Sequence, residues 1–479
     1  MSDVASDLAR PGRGFIAPGA TFTSIEDEVA GIAFDHPGWK LWWLAFAGAM
    51  GLLGVLVLCL GFLFWFGVGI WGNNIPVTWA LDIVGYDWWM GVACGALLTS
   101  AMLLLFGSEW RGALNRITET IALLGACAGA VYPIIHLGRP WFFYWNLPYP
   151  NTLALWPQFR SPLYWDAVDI ISFLGIALSF WYLGMLPDLA SLRDRAFERA
   201  LAAGGSGLPM LRAQTYGVLA LGWRGSASHW QRWSQAYRTI ALLGILVVVA
   251  LQTGAAVMFA GTLEPGWHDT LQPVSFLFAA LLAGVAVVAV LAVMIRAVFA
   301  LQPLITTRHL DILGRLLLGL TWLNIYCYAW EFFMTGLSGD AFEVAALGRR
   351  VGSGPHAWAW WAIVGCALLP AQLLFVRPLR RSPTMLAGIG ALIAFAMWAD
   401  HFMVIVDTLQ QDFLPSSFHL YAIDAWGAAT YAGSVGLFLV LILLFLRYMP
   451  IVSILETRRL ARLAAPVPAP GPAVRLRRG

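Results

Sequence analysis

Apolar residues in this chain fall in long, nearly unbroken runs, not in the i, i+3, i+4 stripes of a water-facing helix or the alternation of a half-buried strand. Ten runs come close to, or exceed, the roughly 20 residues that cross a bilayer as a helix. They are Leu41 to Ile70, Trp88 to Phe106, Ile117 to Leu137, Tyr164 to Leu186, Ile240 to Ala260, Val274 to Ile295, Leu313 to Leu337, Ala357 to Val376, Met385 to Val406 and Ala425 to Leu446. Strands of an outer-membrane barrel would alternate and be about half as long. The pattern therefore predicts an all-α polytopic membrane protein with about ten transmembrane helices. Polar sequence is confined to an N-terminal arm at 1–40, to loops within a transmembrane domain at 41–449, and to an Arg/Pro-rich tail at 450–479. The fourth helix is expected to end at Pro187, because proline removes a backbone donor and clashes with the preceding turn. A loop at 188–239, the longest of the domain, would follow it.

Composition agrees with this reading: 60% of residues are hydrophobic, 11% are charged, and the mean hydropathy is +0.73. Charge adds an orientation. If the helices alternate, all but four of the 29 Lys and Arg residues lie on one side, and the exceptions are Arg139, Arg160, Arg349 and Arg350. The positive-inside rule then makes both termini cytoplasmic, in agreement with an even helix count. The location expected is the bacterial inner membrane. Cys59, Cys94, Cys127, Cys327 and Cys366 all fall in predicted helices and form no CxxC or CxxCH, so neither an iron-sulfur cluster nor a c-type haem is expected on this chain. A b-type haem needs facing histidines, and only His136 and His401 lie near a helix interior. The first 40 residues hold no apolar core bounded by a cleavage site, so no cleaved signal peptide is expected. Membrane lipids are expected neighbours; nucleic acid is not.

Candidate chemistry concentrates between Tyr132 and Ile171, YPIIHLGRPWFFYWNLPYPNTLALWPQFRSPLYWDAVDI. His136 closes the third helix, while Asp166 and Asp169 open the fourth and, three residues apart, share one of its faces. Ionisable groups at membrane depth are costly and mark paths or ligands. A histidine and a carboxylate flanking an aromatic loop can hydrogen-bond a dihydroxy ring at both ends and take its protons. The plain alternatives are a capped helix end at His136 and a carboxylate paired with Arg139 or Arg160. Trp141 and its aromatic neighbours suit either a headgroup belt or the mouth of an apolar pocket. Deeper in the chain, Glu331 lies about 27 Å along the seventh helix and Asp400 and His401 about 23 Å along the ninth, all in the outer half. With Asp169 they are candidates for a proton path. The inner half offers almost no titrating side chain, so the subunit is expected to release protons outward and not to pump them from the cytoplasm.

Several motifs carry a resemblance. HLGRPW at His136 to Trp141, PQFRSPLYWD at Pro157 to Asp166, FWYLGMLPDLASLRDRA at Phe180 to Ala196, GWRGSASHW at Gly222 to Trp230, PGWH at Pro265 to His268, YCYAWEFF at Tyr326 to Phe333, and DFLPSSF at Asp412 to Phe418 occur together and in order. The chain resembles the NrfD/polysulfide-reductase (PsrC-like) family of quinone-interacting membrane subunits, and within it the ActC subunits of alternative complex III. The resemblance implies two four-helix bundles plus peripheral helices. It implies a quinol site near the outer face, with His136 and Asp166 catalytic and with Asp169, Arg139 and Trp141 also binding the quinone, whether menaquinone or ubiquinone. The implied partners are a periplasmic iron-sulfur subunit, a second NrfD-like membrane subunit, cytochrome c subunits and a terminal oxidase. Three departures bear on proton movement: Gln252 and Met258 stand where relatives carry a histidine and an aspartate, Asp400-His401 replaces a glutamate-arginine pair, and Gly336-Leu337 replaces a tryptophan-tyrosine. Two rival readings remain, a secondary transporter and a structural anchor without a working quinone site; a transporter would place its ionisable groups at the midplane.

Overall fold

The computed structural model describes residues 14–149, 152 and 159–464. The start of the N-terminal arm, the opening of the PQFRSPLYWD motif and the Ala465 to Pro472 run of the tail lie outside the described residues. The α-helices are α1 (Phe22–Asp35), α2 (Trp39–Phe66), α3 (Leu81–Leu105), α4 (Asn115–His136), α5 (Pro162–Ala202), α6 (Gly207–Leu219), α7 (Ala227–Ala260), α8 (Gln272–Val298), α9 (Thr307–Ser338), α10 (Ala341–Gly348), α11 (Trp358–Ile363), α12 (Arg377–Arg381), α13 (Pro383–Phe402), α14 (Ala425–Tyr448) and α15 (Ile454–Ala464). Among the described residues, ten helical segments are long and apolar enough to cross a membrane; the eighth is a composite of α11 with the π- and 3-10 turns that continue it to Phe375.

Helices α3, α4, α5 and α7 close one four-helix ring, and α8, α9, the α11 span and α13 close a second. The peripheral α2 and α14 pack on each other, and α14 leans on α4 and α3. The rings meet along α3 and α8, where small residues let two backbones touch: a Cβ on Gly95 would collide with the Ala280 carbonyl oxygen. Without a hydrophobic drive between helices in lipid, such close backbone packing supplies much of the association energy. Taking the face that carries most of the arginines as the basic face, α3 starts and α4 ends at the opposite one, here called the site face.

Two boundaries differ from the sequence expectation. The second span starts at Leu81, not Trp88, and so carries Asp82 and Asp87 into the bundle, where both are buried. An acidic residue in the first turn suits the positive end of the helix dipole. The fourth helix does not end at Pro187 but runs through it to Ala202. Proline frees the carbonyl four residues back, and here Trp233 Nε1 donates to Leu183 O at 2.7 Å while Arg116 caps the next carbonyl, that of Gly184. Neighbouring side chains thus replace the missing backbone bonds. The expected long loop at 188–239 is consequently mostly helical, built from the end of α5, all of α6 and the first turns of α7.

The terminal segments are anchored at the basic face. Thr21 and Ser24 form a reciprocal cap on α1, which packs against α15 and α5. The basic end of the first ring also holds a buried lock that the sequence reading, which found almost no titrating group in that half, did not anticipate. Arg116 pairs with Glu119 and with Asp188, each at 2.9 Å, and Arg111 pairs with Glu119 at 3.4 Å and with Glu456 of α15. Tyr237 donates to Glu119 as well.

Candidate functional site

At the site face of the first ring, α3, α4 and α5 surround a cavity of about 290 Å³. Its walls are mainly apolar, with Ile83, Ala130, Pro133, Ile134, Ile170 and Leu174 among them, and Met258 and Phe259 of α7 complete them. Polar groups gather at one end: Tyr86 and Asp87 from α3, His136 from the last turn of α4, Asp166 from the first turns of α5, and Asn146 from the short 3-10 segment Pro140–Asn146. Apolar walls with a few convergent polar groups are the usual form of a small-molecule site. Leu137 and Ile171, 41% and 46% exposed, belong to the lining, so the cavity is open towards lipid between α4 and α5.

Each polar group is held differently. His136 Nδ1 pairs with Asp82 Oδ2, and Asp82 Oδ1 accepts from the Ala80 amide at 3.2 Å, so the first turn of α3 fixes the imidazole. A carboxylate on one ring nitrogen sets the tautomer and leaves the other nitrogen to act on a ligand. Tyr86 Oη donates to Asp166 Oδ1 at 2.6 Å. Asp87 is buried, and its Oδ2 has no partner among the described residues. An unpaired buried carboxylate oxygen carries a large desolvation cost, and this one lies beside the cavity.

The structure therefore brings His136 and Asp166 to one end of one cavity, and a tyrosine of α3, not an arginine of the loop, holds the Asp166 carboxylate. Asp169 lies one turn further along α5, outside the cavity lining, and faces α7, where a Cβ on Gly254 would be 3.4 Å from its Oδ2. Arg139 and Trp141 are exposed beyond the mouth, with Trp141 6.1 Å from the Phe64 ring of α2. Of the aromatic run, Phe143 lines the cavity. Tyr86 and Asp87 line the cavity and Asp82 holds His136, three candidate site residues that the sequence reading does not include.

The other candidates lie in the second ring. Tyr328 donates to Asp400 at 2.8 Å, Arg350 pairs with Glu331 and reaches Gly266 O at 3.1 Å, and Gln410 donates to His356 Nδ1 at 2.7 Å. His401 Nδ1 faces the Met397 carbonyl at 2.6 Å, while a Cβ on Gly91 of α3 would lie 3.8 Å from its Nε2, so this ring sits at the seam between the bundles. In the loop above, burial pushes the Glu264 carboxyl up to about 7, and Asp412 and Glu343 add to the effect. Among the described residues no group of three or more His, Cys, Asp or Glu could hold a metal ion.

Fold and site together define a class: a ten-span helical membrane protein with a lipid-open cavity whose histidine and carboxylates stand near one face. A family profile described as polysulphide reductase, NrfD, matches residues 69–411, and the chain belongs to that family. It is 26% identical over 219 residues to the C subunit of selenate reductase from Mesobacillus selenatarsenatis, a match covering 44% of this chain and 46% of that protein. It is 24% identical over 359 residues to a candidate membrane C subunit of dimethyl sulfoxide reductase from Halobacterium salinarum, covering 72% of this chain and 74% of that protein. The chain thus spans less than half the length of the first of these curated relatives.

Proposed function

We propose that this NrfD-family membrane subunit oxidises quinol in the cavity between α4 and α5, as part of an oxidoreductase complex whose iron-sulfur subunit takes the electrons. The observation that carries the reading is the pairing of an Asp82-oriented imidazole with the Tyr86-held Asp166 at the polar end of a lipid-open, apolar cavity. An apolar channel open to lipid suits an isoprenoid-tailed ring, and the buried Asp87 oxygen, without a partner among the described residues, suits a hydroxyl donor. Quinol would supply two electrons to the partner and two protons to the site. His136 would accept a proton at its free nitrogen while Asp82 stabilises the resulting imidazolium. Asp166 would orient the second hydroxyl, with Tyr86 holding the carboxylate in place. Phe143 and the apolar walls would limit water around the ring.

The family relatives' names, which refer to selenate and dimethyl sulfoxide reductases, support membership in a reductase-type complex. The motif set supports the finer assignment, an alternative complex III-type assembly with a second NrfD-like membrane subunit and cytochrome c subunits. In this reading the basic face is cytoplasmic and the site face is periplasmic in a bacterial inner membrane, and quinol protons leave on the periplasmic side. A reporter fused after Gly479 that works only in the cytoplasm should be active. Purified through a tag on this chain, the complex should contain an iron-sulfur subunit and retain quinone. Ala130→Trp, which fills the cavity wall, should abolish that retention; equal quinone content in the assembled variant would remove the cavity from the argument and favour a structural anchor.

A further inference from the structure

The GWRGSASHW motif lies far from the quinol cavity, and a second hollow accounts for it. At the basic face, a space of about 200 Å³ is enclosed by the α5 extension beyond Pro187, the turn carrying Trp223, Arg224 and Gly225, the first turn of α7 at Trp230, and Leu455 and Arg458 of α15. Most of its charges are already paired. Arg193 binds Asp194 at 2.8 Å and donates to the Trp223 carbonyl at 2.8 Å, and Arg458 pairs with Glu26. Three donors are not. The Arg224 guanidinium and the indole N–H groups of Trp223 and Trp230 have no hydrogen-bond partner among the described residues, and a Cβ on Gly225 would lie 3.7 Å from Trp230 Nε1. Beside the paired Arg193 and Asp194, the hollow thus presents three unanswered donors, one of them a guanidinium.

Depth identifies the acceptor. Pro187 is 23 residues past Tyr164, about 35 Å along α5, just beyond a hydrocarbon core of about 30 Å and within the headgroup layer. On α7, Leu242, Leu246 and Val249 are 53%, 59% and 40% exposed and mark a lipid-facing side of the helix, whereas Tyr237, Ala241 and Val248, on the same side as Trp230, are buried in the bundle. Arg232 and Arg238 on the same helix are exposed and unpaired among the described residues.

We infer that this hollow is a binding site for the phosphodiester headgroup of an anionic glycerophospholipid in the leaflet at the basic face, held by Arg224 and the two indoles. A guanidinium matches phosphate oxygens in geometry and charge, and an indole N–H adds a neutral donor that suits the headgroup layer. The inference is independent of the quinol reading.

Native mass spectrometry of the complex released from nanodiscs of mixed phosphatidylglycerol and phosphatidylethanolamine tests it. The wild-type complex should retain phosphatidylglycerol in preference to phosphatidylethanolamine. Arg224→Gln should lower that retention about fivefold, the loss of one cation at a lipid surface; Trp230→Phe should lower it less, and Arg224→Lys should keep most of it. Arg224 is exposed, so thermal stability should not change. Equal retention of the two lipids, wild-type retention by Arg224→Gln, or displacement of the lipid by excess inorganic phosphate would each overturn the proposal, the last in favour of a soluble-anion site.

Discussion

The two four-helix rings carry buried polar groups at the same face of the membrane, yet they use them in opposite ways. In the second ring the titratable groups answer one another, Tyr328 with Asp400, Glu331 with Arg350, His356 with Gln410, and the buried donors left over among the described residues include the indoles of Trp330 and Trp398. The space left beside Arg350 and Asp407 is about 10 Å³, no more than a water. In the first ring the same kinds of residue are only half answered. Asp82 holds one nitrogen of His136, Tyr86 holds one oxygen of Asp166, Asp87 Oδ2 has no partner among the described residues, and about 290 Å³ of cavity lies between them. Titratable residues at membrane depth therefore do not by themselves mark a site. What separates a site from a brace is a titratable group with hydrogen-bonding capacity left over beside a volume that a ligand can fill.

The largest expected effect tests the first ring. His136→Ala or Asp166→Asn should lower quinol oxidation by at least about 100-fold in an assembled complex, read as turnover per complex; near-normal turnover would erase the distinction between the rings. The second ring should respond in stability instead. Arg350→Met leaves Glu331 without its partner and should cost about 3 kcal/mol, measured as a lower denaturation midpoint, with turnover of the surviving complex close to wild type. A matching loss of turnover would make that network part of the proton route. Asp82→Asn removes the group that orients His136 but touches no ligand. A tenfold or larger loss is expected, with a displaced pH profile that a purely structural role would not give. The smallest effect concerns Glu264. Its carboxyl titrates higher in the folded protein, at about 7, than its ordinary 4.5. The folded state therefore holds the proton more tightly, and stability should fall as pH rises from about 4.5 to about 7. Glu264→Gln should flatten that slope, by less than about 2 °C in the thermal midpoint because the group is half exposed.

Most of the fold was legible because run length is a one-dimensional property: a stretch such as Val274 to Ile295 cannot be hidden, and it reappears inside α8. The misreadings came from local rules that tertiary contacts overrode. Pro187 reads as a stop only while Trp233 and Arg116 are out of view, and these are 46 residues after it and 71 before it. Asp82 and Asp87 fall just outside the Trp88 to Phe106 run, because charge interrupts an apolar run in one dimension. An acidic first turn leading directly into Trp88 to Phe106 was the available signal. His136 and Asp166 were legible because they bound one short aromatic loop. Their holders were not, since Asp82 and Tyr86 lie on another helix, 54 and 80 residues away, and nothing local announces the pairing.

The continuous α5 also imposes an order of assembly. When its membrane-spanning part emerges from the ribosome, Trp233 has yet to be made, and the carbonyl of Leu183 can be satisfied only by water near the headgroups. The lower end of this helix is complete only once the following one has come alongside. The fourth and fifth spans are thus expected to mature as a single hairpin, with the intervening basic segment folding last and drawing them together.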